Sequence, residues 1–246
     1  MHSVSNDHSA AILAIETTGK SGSIALSWRN EVHGRDLSAE VGSAQSLAPT
    51  IEKLFRETNC SPNNLCGIAV AEGPGSFTGL RVGITTAKVM GYALGISVLG
   101  IDSLECMVEA YRHRCAHSVD RPHSIWPMME AYRGEWFGSC WAIDAQGNTA
   151  CVCNSRVDTV DFWIESIKAA SHASQSCLLG SVVTKAWPRL EGIPGCRMES
   201  TIEPKAIDVL RLAQRRMKSD WIDPMALQPK YLRRSAAEEK ATARAD

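Results

Sequence analysis

The stretch AEGPGSFTGLRVGITTAKVMGYALG, residues 71–95, decides the fold. A continuous apolar run, residues 67–71, leads into it and predicts a buried strand of the kind found in parallel sheets. A Gly/Pro loop then opens a long helix that runs to about Leu94, with Gly95 as its C-cap. A strand, a glycine turn and a helix in this order predict an α/β fold.

One side of this helix carries a small residue at every fourth position: Gly79, Gly83, Ala87 and Gly91. Apolar side chains cover much of the remaining surface, which predicts packing on both flanks, against the sheet and against a second helix. A helix start behind a glycine loop can also hold an anion. The groove of small residues favours packing or partner contact over phosphate binding.

The segments around this stretch predict the same order of strands and helices twice. Three short strands, residues 11–16, 23–28 and 32–37, form an antiparallel meander. The helix that follows carries Leu47, Ile51, Leu54 and Phe55 on one face, with Ser46 as its N-cap. Ile96–Leu99 predicts a strand, and Asp102 or Ser103 predicts the cap of the helix after it.

A second meander follows at residues 124–129, 136–143 and 149–153. It leads to helices near 160–170 and 204–219, with a strand at 177–180 between them. The repeated order predicts a duplicated fold of two lobes. The expected boundaries are a disordered extension over 1–10, an N-terminal lobe over 11–112, a C-terminal lobe over 113–235 and a flexible tail over 236–246.

The run Thr18-Gly19-Lys20-Ser21 looks like the end of a Walker A nucleotide loop. A Walker A loop needs a glycine four residues before this run and a helix after it. Here Ala14 occupies the first glycine position within a predicted strand, and another strand follows, so no helix dipole is offered to a phosphate. The sequence predicts a hairpin turn in which Lys20 is solvated.

Composition and charge limit the classes of function and of binding partner that the sequence predicts. The 246 residues are 44% apolar and carry a formal net charge of −1. This overall charge does not predict binding to nucleic acids or membranes, although a local basic patch can hide in the average. Nine cysteines and a polar N-terminus without a leader predict reduced thiols in the cytoplasm. The apolar window Val82–Ile101 contains four glycines and predicts a buried core segment rather than a membrane span.

Few residues point to catalysis. His113 and His117 are one helical turn apart, but the helix is polar there and lacks the glutamate of a metalloprotease motif, which predicts a solvated helix end. Glu16 and Glu130 each end a predicted strand and are the notable carboxylates for acid–base chemistry. The sequence offers no Ser–His–Asp order and no activated cysteine.

The same glycine-rich run, extended to AEGPGSFTGLRVGITTAKVMGYALGISVLGIDSLECM, closely resembles the bacterial TsaB (YeaZ) family. So do ILAIETTGKSGSIALSW, SAQSLAPTIEKLF, MEAYRGEWF and DPMALQPKYLR, which are spread over most of the chain, whereas residues 145–200 match poorly. The resemblance implies an actin-like ATPase (sugar kinase/Hsp70-type, ASKHA) fold, an α/β fold of two duplicated lobes.

The resemblance also implies a role. Such a chain is a non-catalytic subunit that forms a heterodimer with a TsaD-type transferase, and a TsaE-type ATPase joins that complex. The complex moves a threonylcarbamoyl group to the tRNA adenosine beside the anticodon, so tRNA is met through the complex. We expect no cofactor for this chain itself, ATP or ADP in the complex, and no membrane. Whether the isolated chain forms a homodimer stays open.

The family pairs through the first two helices of its N-terminal lobe. In this sequence the implied partner interface consists of Leu47, Ile51, Leu54, Phe55, Phe77, Leu80, Gly83, Ile84, Ala87 and Gly91. The implied vestigial nucleotide loop consists of Glu16, Thr17, Thr18, Gly73, Gly75 and Ser76. We expect leucine at Gly83 or Ala87 to abolish pairing and to leave the isolated subunit folded.

The sequence departs from the family pattern at three polar positions. Glu16 replaces the usual Asp, Ser43 replaces a common His, and Glu130-Ala131-Tyr132 replaces Asp-Ala-Arg. The His-x-x-x-His metal pair of the catalytic paralogue has no counterpart in Ile101–Met107. The alternatives, a transferase, a metallopeptidase or a small-molecule kinase of the same fold, are therefore disfavoured but open.

Overall fold

The computed structural model describes residues 10–19, 21–115, 123–171 and 175–233. Within these residues the strands are β1 Ala11–Glu16, β2 Ser23–Trp28, β3 Glu31–Asp36, β4 Leu65–Gly73, β5 Ser97–Asp102, β6 Ser124–Tyr132, β7 Glu135–Ile143, β8 Thr149–Thr159, β9 Ser176–Leu179 and β10 Cys196–Glu199. The helices are α1 Gly42–Thr58, α2 Phe77–Leu94, α3 Ser103–Arg114, α4 Val160–Ser171, α5 Val183–Ala186 and α6 Ala206–Arg215.

The strands form two five-stranded sheets with the same order. The first runs β3-β2-β1-β4-β5 and the second β8-β7-β6-β9-β10. In the first, β1 is antiparallel to β2 and parallel to β4. In the second, β6 is antiparallel to β7 and parallel to β9. The predicted duplication is therefore confirmed at the level of topology.

The chain divides into two compact units, but not at the single boundary that the sequence predicted. The first unit holds the described residues up to 72 together with 78–101 and 205–229, and the second holds 73–77, 102–204 and those from 230 onward. The division differs from lobes at 11–112 and 113–235 because α3 packs on strands β6, β7 and β9, while α6 packs on β1 and β2.

Alternation along β1 builds the core of the first unit. Leu13 and Ile15 pair with Leu26 and Ile24 of β2, and these four side chains lie in one cluster with the buried residues of α1 and α2. On the other face Ala14 pairs with Ala25, and these small side chains let α6 approach the sheet closely. Ser23 on that face accepts a hydrogen bond from the backbone N–H of Ala206, 2.9 Å.

The second unit places a core cluster on each face of its sheet. Ile125 and Leu179 pack with the buried residues of α3. Trp126 and Leu178, their neighbours in sequence, pack with Trp163 and the rest of α4 on the opposite face. The indole N–H of Trp163 donates to the carbonyl of Trp136 at 3.1 Å, so this large buried ring has its polar atom satisfied.

Most predicted elements are present, with corrected ends. The two predicted caps are confirmed: Gly95 has a left-handed φ of 66°, and Asp102 accepts from the N–H groups of Leu104 and Glu105. Ser46 is not a cap, because α1 begins at Gly42 and the Ser46 hydroxyl donates to the Gly42 carbonyl. The sequence missed β10, whose residues are only half-buried and whose pairing with β9 is a long-range contact.

Candidate functional site

The turn between β1 and β2 is organised by Glu16, which is fully buried. Its Oε1 accepts hydrogen bonds from the N–H of Thr18 at 2.5 Å, the hydroxyl of Thr18 at 2.6 Å and the N–H of Gly19 at 3.0 Å. The strand β2 follows the turn directly, which confirms the predicted hairpin; Lys20 lies outside the described residues. The donors of Thr18 and Gly19 are thus taken up by the chain's own carboxylate.

Burial raises the pKa of this carboxyl group. Loss of hydration raises the pKa of Glu16 from 4.5 to about 7, against the opposing effect of the bonds from Thr18 and Gly19 and of the positive charge of Lys205. Its second oxygen, Oε2, is buried and has no hydrogen-bond partner among the described residues. Glu16 is therefore a group whose charge changes near neutral pH.

Close packing holds the same turn in place. The hydroxyl of Thr17 donates to the carbonyl of Gly79, at the start of α2, at 2.7 Å. A Cβ on Gly22 would lie 2.7 Å from Leu37 Cδ1, 2.9 Å from the Glu16 carbonyl oxygen and 3.2 Å from Ser43 Oγ. Only glycine allows this approach, so the turn is tightly built around Glu16.

The six residues predicted as a vestigial nucleotide loop do not all belong to one unit. Glu16, Thr17 and Thr18 lie together in the first unit, whereas Gly73, Gly75 and Ser76 belong to the second. Gly73 has a φ of 120°, a conformation that favours glycine, and is joined to Pro74 by a cis peptide bond. The segment ends at Phe77, whose ring stacks on that of Tyr231 with centroids 4.9 Å apart.

The predicted partner-interface residues lie mainly in the core of the first unit, and this prediction is corrected. The buried ones are Leu47, Ile51, Leu54, Phe55, Leu80, Gly83, Ile84, Ala87 and Gly91, and Phe77 is half-buried. Their spacing marks the face of each helix that packs on the chain's own sheet. An apolar stripe looks the same in sequence whether it meets its own sheet or another protein.

The groove of small residues on α2 is filled from within the chain. A Cβ on Gly83 would lie 2.4 Å from Thr17 Oγ1, 3.3 Å from Val70 Cγ2 and 3.6 Å from Ile15 Cγ2. A Cβ on Gly91 would lie 2.8 Å from Val98 Cγ1 and 2.9 Å from Pro224 Cγ. This packing argues against the expectation that Gly83→Leu would leave the subunit folded.

The opposite side of α2 faces solvent. Val89 is 61% exposed and Tyr92 is 73% exposed, and Arg81 and Thr85 continue this side towards the helix start. The Lys88 ammonium donates to the carbonyls of Met225 at 3.2 Å and Leu227 at 2.9 Å, which brings Met225, 62% exposed, next to the helix. We call Val89, Tyr92 and Met225 the α2 face. A grouping of exposed apolar side chains is typical of a contact surface.

The other candidate groups have structural roles. Asp102 caps α3 through Oδ1, while its Oδ2 accepts from Ser155 at 2.6 Å and from Lys230 at 2.7 Å. Glu130 pairs with the Lys185 ammonium at 2.6 Å. Across the part of the chain that the structure describes, no group of three or more His, Cys, Asp and Glu could hold a metal ion; His113 is exposed, and His117 lies outside that part.

Comparison with known proteins identifies the family. A family model described as TsaD, tRNA N6-adenosine threonylcarbamoyltransferase, matches residues 38–162, just over half of the chain. The chain belongs to this family. Within it, the relatives that align over most of their length place the chain with the TsaB (YeaZ) members, as the sequence predicted.

Two curated relatives match nearly from end to end. The tRNA threonylcarbamoyladenosine biosynthesis protein TsaB of Bacillus subtilis is 26% identical over 93% of this chain and 96% of its own length. The protein of the same name from Escherichia coli is 25% identical over 93% of this chain and 97% of its own.

A solved structure supports the fold. It is that of a Pseudomonas aeruginosa protein described as similar to peptidase YeaZ, with a TM-score of 0.75 and 21% identity over 91% of this chain and all of that one. The α/β fold of two units with a duplicated sheet order is that of YeaZ, as expected for the actin-like ATPase class. None of the helices in the described ranges is both long and apolar enough to cross a membrane.

Proposed function

We propose that this chain is a non-catalytic subunit that supports a TsaD-type transferase in threonylcarbamoylation of the tRNA adenosine next to the anticodon. The observation that carries the proposal is the alignment over 93% of this chain with relatives named for threonylcarbamoyladenosine biosynthesis. The transferase itself is the natural partner, because the family model that matches residues 38–162 bears its name.

The geometry of the turn after β1 is consistent with a non-catalytic role. Glu16 occupies the N–H groups of Thr18 and Gly19, the donors that a phosphate would need at this turn. This supports a chain that acts without a cofactor of its own, with ATP or ADP bound elsewhere in a complex that includes a TsaE-type ATPase. The chain contacts tRNA as a part of this complex.

The α2 face supplies the apolar contact for the heterodimer. Exposed tyrosine and aliphatic side chains are the usual anchors of protein interfaces, whereas the outward side of α1 carries the charged residues Glu52, Lys53, Arg56 and Glu57. The partner-binding role of α2 is thus kept, but on the side opposite to its small residues.

Reconstitution tests the function directly. The chain, a TsaD-type subunit and a TsaE-type ATPase from the same source are incubated with tRNA, ATP and threonylcarbamoyl-adenylate, and the modified nucleoside is measured by mass spectrometry. We expect modification only when this chain and the transferase are both present. Modification by this chain alone, or full activity without it, would contradict the proposal.

Two aspartates on the α2 face should break the heterodimer. Val89→Asp combined with Tyr92→Asp places two carboxylates where apolar side chains would be buried, and interface anchors of this kind are worth about 2 kcal/mol or more each, roughly 30-fold in Kd. We therefore expect the Kd for the transferase, measured by titration calorimetry, to rise at least about 30-fold.

Val152→Asp is the matched control, because Val152 is 67% exposed on β8 of the other unit. It should leave the Kd unchanged, and circular dichroism should show that all variants are folded. Wild-type affinity of the double variant would place the interface elsewhere.

A further inference from the structure

The most basic segment of the chain is not used by the proposed interface. Residues 209–219, VLRLAQRRMKS, contain four basic side chains and no acidic one, in a chain whose formal net charge is −1. This is the local basic patch that an average over the chain conceals. It belongs to α6 and to the turn that follows it.

The fold presents this segment to solvent. The inner side of α6, with Val209, Leu210 and Ala213, is buried on the sheet, and the Gln214 amide donates to Ser27 Oγ at 3.1 Å. Three basic residues at its end are exposed: Arg215, Arg216 and Lys218. These cations lie at the exposed C-terminal end of α6 and in the turn that follows it.

Two acidic residues border the segment. Asp208 is buried and accepts from Arg211 at 2.6 Å, so these two charges compensate each other. Asp220 accepts the N–H of Met217 at 3.0 Å. Basic residues in the last turn of a helix stabilise its dipole, which accounts for Arg215. Arg216 is the C-cap residue of α6, and Lys218 lies in the turn beyond it.

We propose that Arg215, Arg216 and Lys218 contact the phosphate backbone of the tRNA. The inference rests on the proposed function, in which tRNA is the substrate of the complex. Arginine forks bind phosphate oxygens in a bidentate manner, and lysine adds a point charge. Exposed Ser219 adds a polar group beside them. Contacts of this kind position a nucleic acid without reading its sequence.

Salt dependence of tRNA binding is the direct test. The probe is fluorescently labelled tRNA, titrated with the assembled complex at several salt concentrations. Each lost phosphate contact lowers the slope of log K against log salt by about 0.7–0.9. For Arg215→Ser/Arg216→Ser/Lys218→Ser we expect the slope to fall by about 2. We also expect the affinity at low salt to fall at least about tenfold.

A matched variant and a separate partner assay make the result decisive. Lys168→Ser/Lys185→Ser/Arg189→Ser removes the same charge from one half-buried and two exposed positions of the second unit and should leave the slope unchanged. The pair Arg216→Ser/Lys218→Ser, which leaves α6 intact, should give an intermediate slope. A triple variant with the slope and affinity of the wild type would overturn the proposal. A triple variant that binds tRNA normally but binds the transferase more weakly would also overturn it, because the segment would then be a protein contact.

The proposed function and this inference can fail separately. If the wild-type chain forms no complex with the transferase, the proposed function is wrong. Labelled tRNA titrated with the chain alone at low salt then still compares the wild type with the two triple variants. Equal affinity of all three would overturn the tRNA contact in that case too.

Discussion

Gly83→Leu is expected to unfold the first unit rather than to act only on a partner. A Cβ at this position would lie 2.4 Å from Thr17 Oγ1 and 3.3 Å from Val70 Cγ2, so a larger side chain forces α2 away from the sheet. Overpacking of a well-filled core costs about 1–3 kcal/mol, and here the whole side chain has no space. We expect the free energy of unfolding, measured in urea, to fall by at least about 3 kcal/mol.

Two further variants identify the cause of this loss. Thr85→Leu on the exposed side of the same helix should change stability by less than about 0.5 kcal/mol. Gly83→Ala should lose less stability when Thr17→Ala removes the hydroxyl that its Cβ would meet, a coupling that a double-mutant cycle measures. Gly83→Leu with the urea midpoint of the wild type would show that α2 does not pack on β1 as described.

Stability is expected to fall as the pH rises through the range in which Glu16 ionises. The folded state holds the proton up to about pH 7, whereas the unfolded chain releases it near pH 4.5. Between these values the folded state binds more protons, so the free energy of unfolding decreases with rising pH and levels off above about 7. A difference of this size corresponds to about 3 kcal/mol.

Glu16→Gln should remove this pH dependence, because the amide stays neutral and its oxygen can still accept from Thr18 and Gly19. Urea unfolding of both proteins at pH 5, 6, 7 and 8 measures the effect. Relative to the wild type, the variant should gain about 2.5 kcal/mol between pH 5 and pH 8. Glu52→Gln, at an exposed position, should show the slope of the wild type. A difference between Glu16→Gln and the wild type that is the same at every pH would contradict the ionisation of Glu16 near neutrality.

Sequence patterns were most reliable where local chemistry is decisive. Backbone groups within a few residues determine three of the predicted features: the strand–turn–helix order around Gly73, the C-cap Gly95 and the N-cap Asp102. The order of these elements predicted two α/β units with duplicated sheets. It also rejected a P-loop at Thr18-Gly19-Lys20-Ser21, because a strand and not a helix follows the turn.

Sequence reasoning failed where a side chain's role depends on what lies across from it. The residue pattern left packing or partner contact open for the small residues of α2, and the resemblance assigned them to a partner. In the structure a Cβ on Gly83 would meet Thr17 and one on Gly91 would meet Pro224, positions far away in sequence. The strand β10 forms because β9 lies beside it, and α6 belongs with the first unit because the alanine face of β1 and β2 receives it. None of these contacts leaves a periodic signal.

The sequence by itself determined the family, the fold class, the duplicated order of elements and the hairpin at residues 16–23, since these follow from local propensity and from a recognisable run of residues. Only the tertiary structure decided which side of α2 faces solvent, that Glu16 fills its own turn, and that the cations at the end of α6 are exposed. The physical reason is the same in each case: burial and acidity depend on neighbours that the fold brings together from distant parts of the chain.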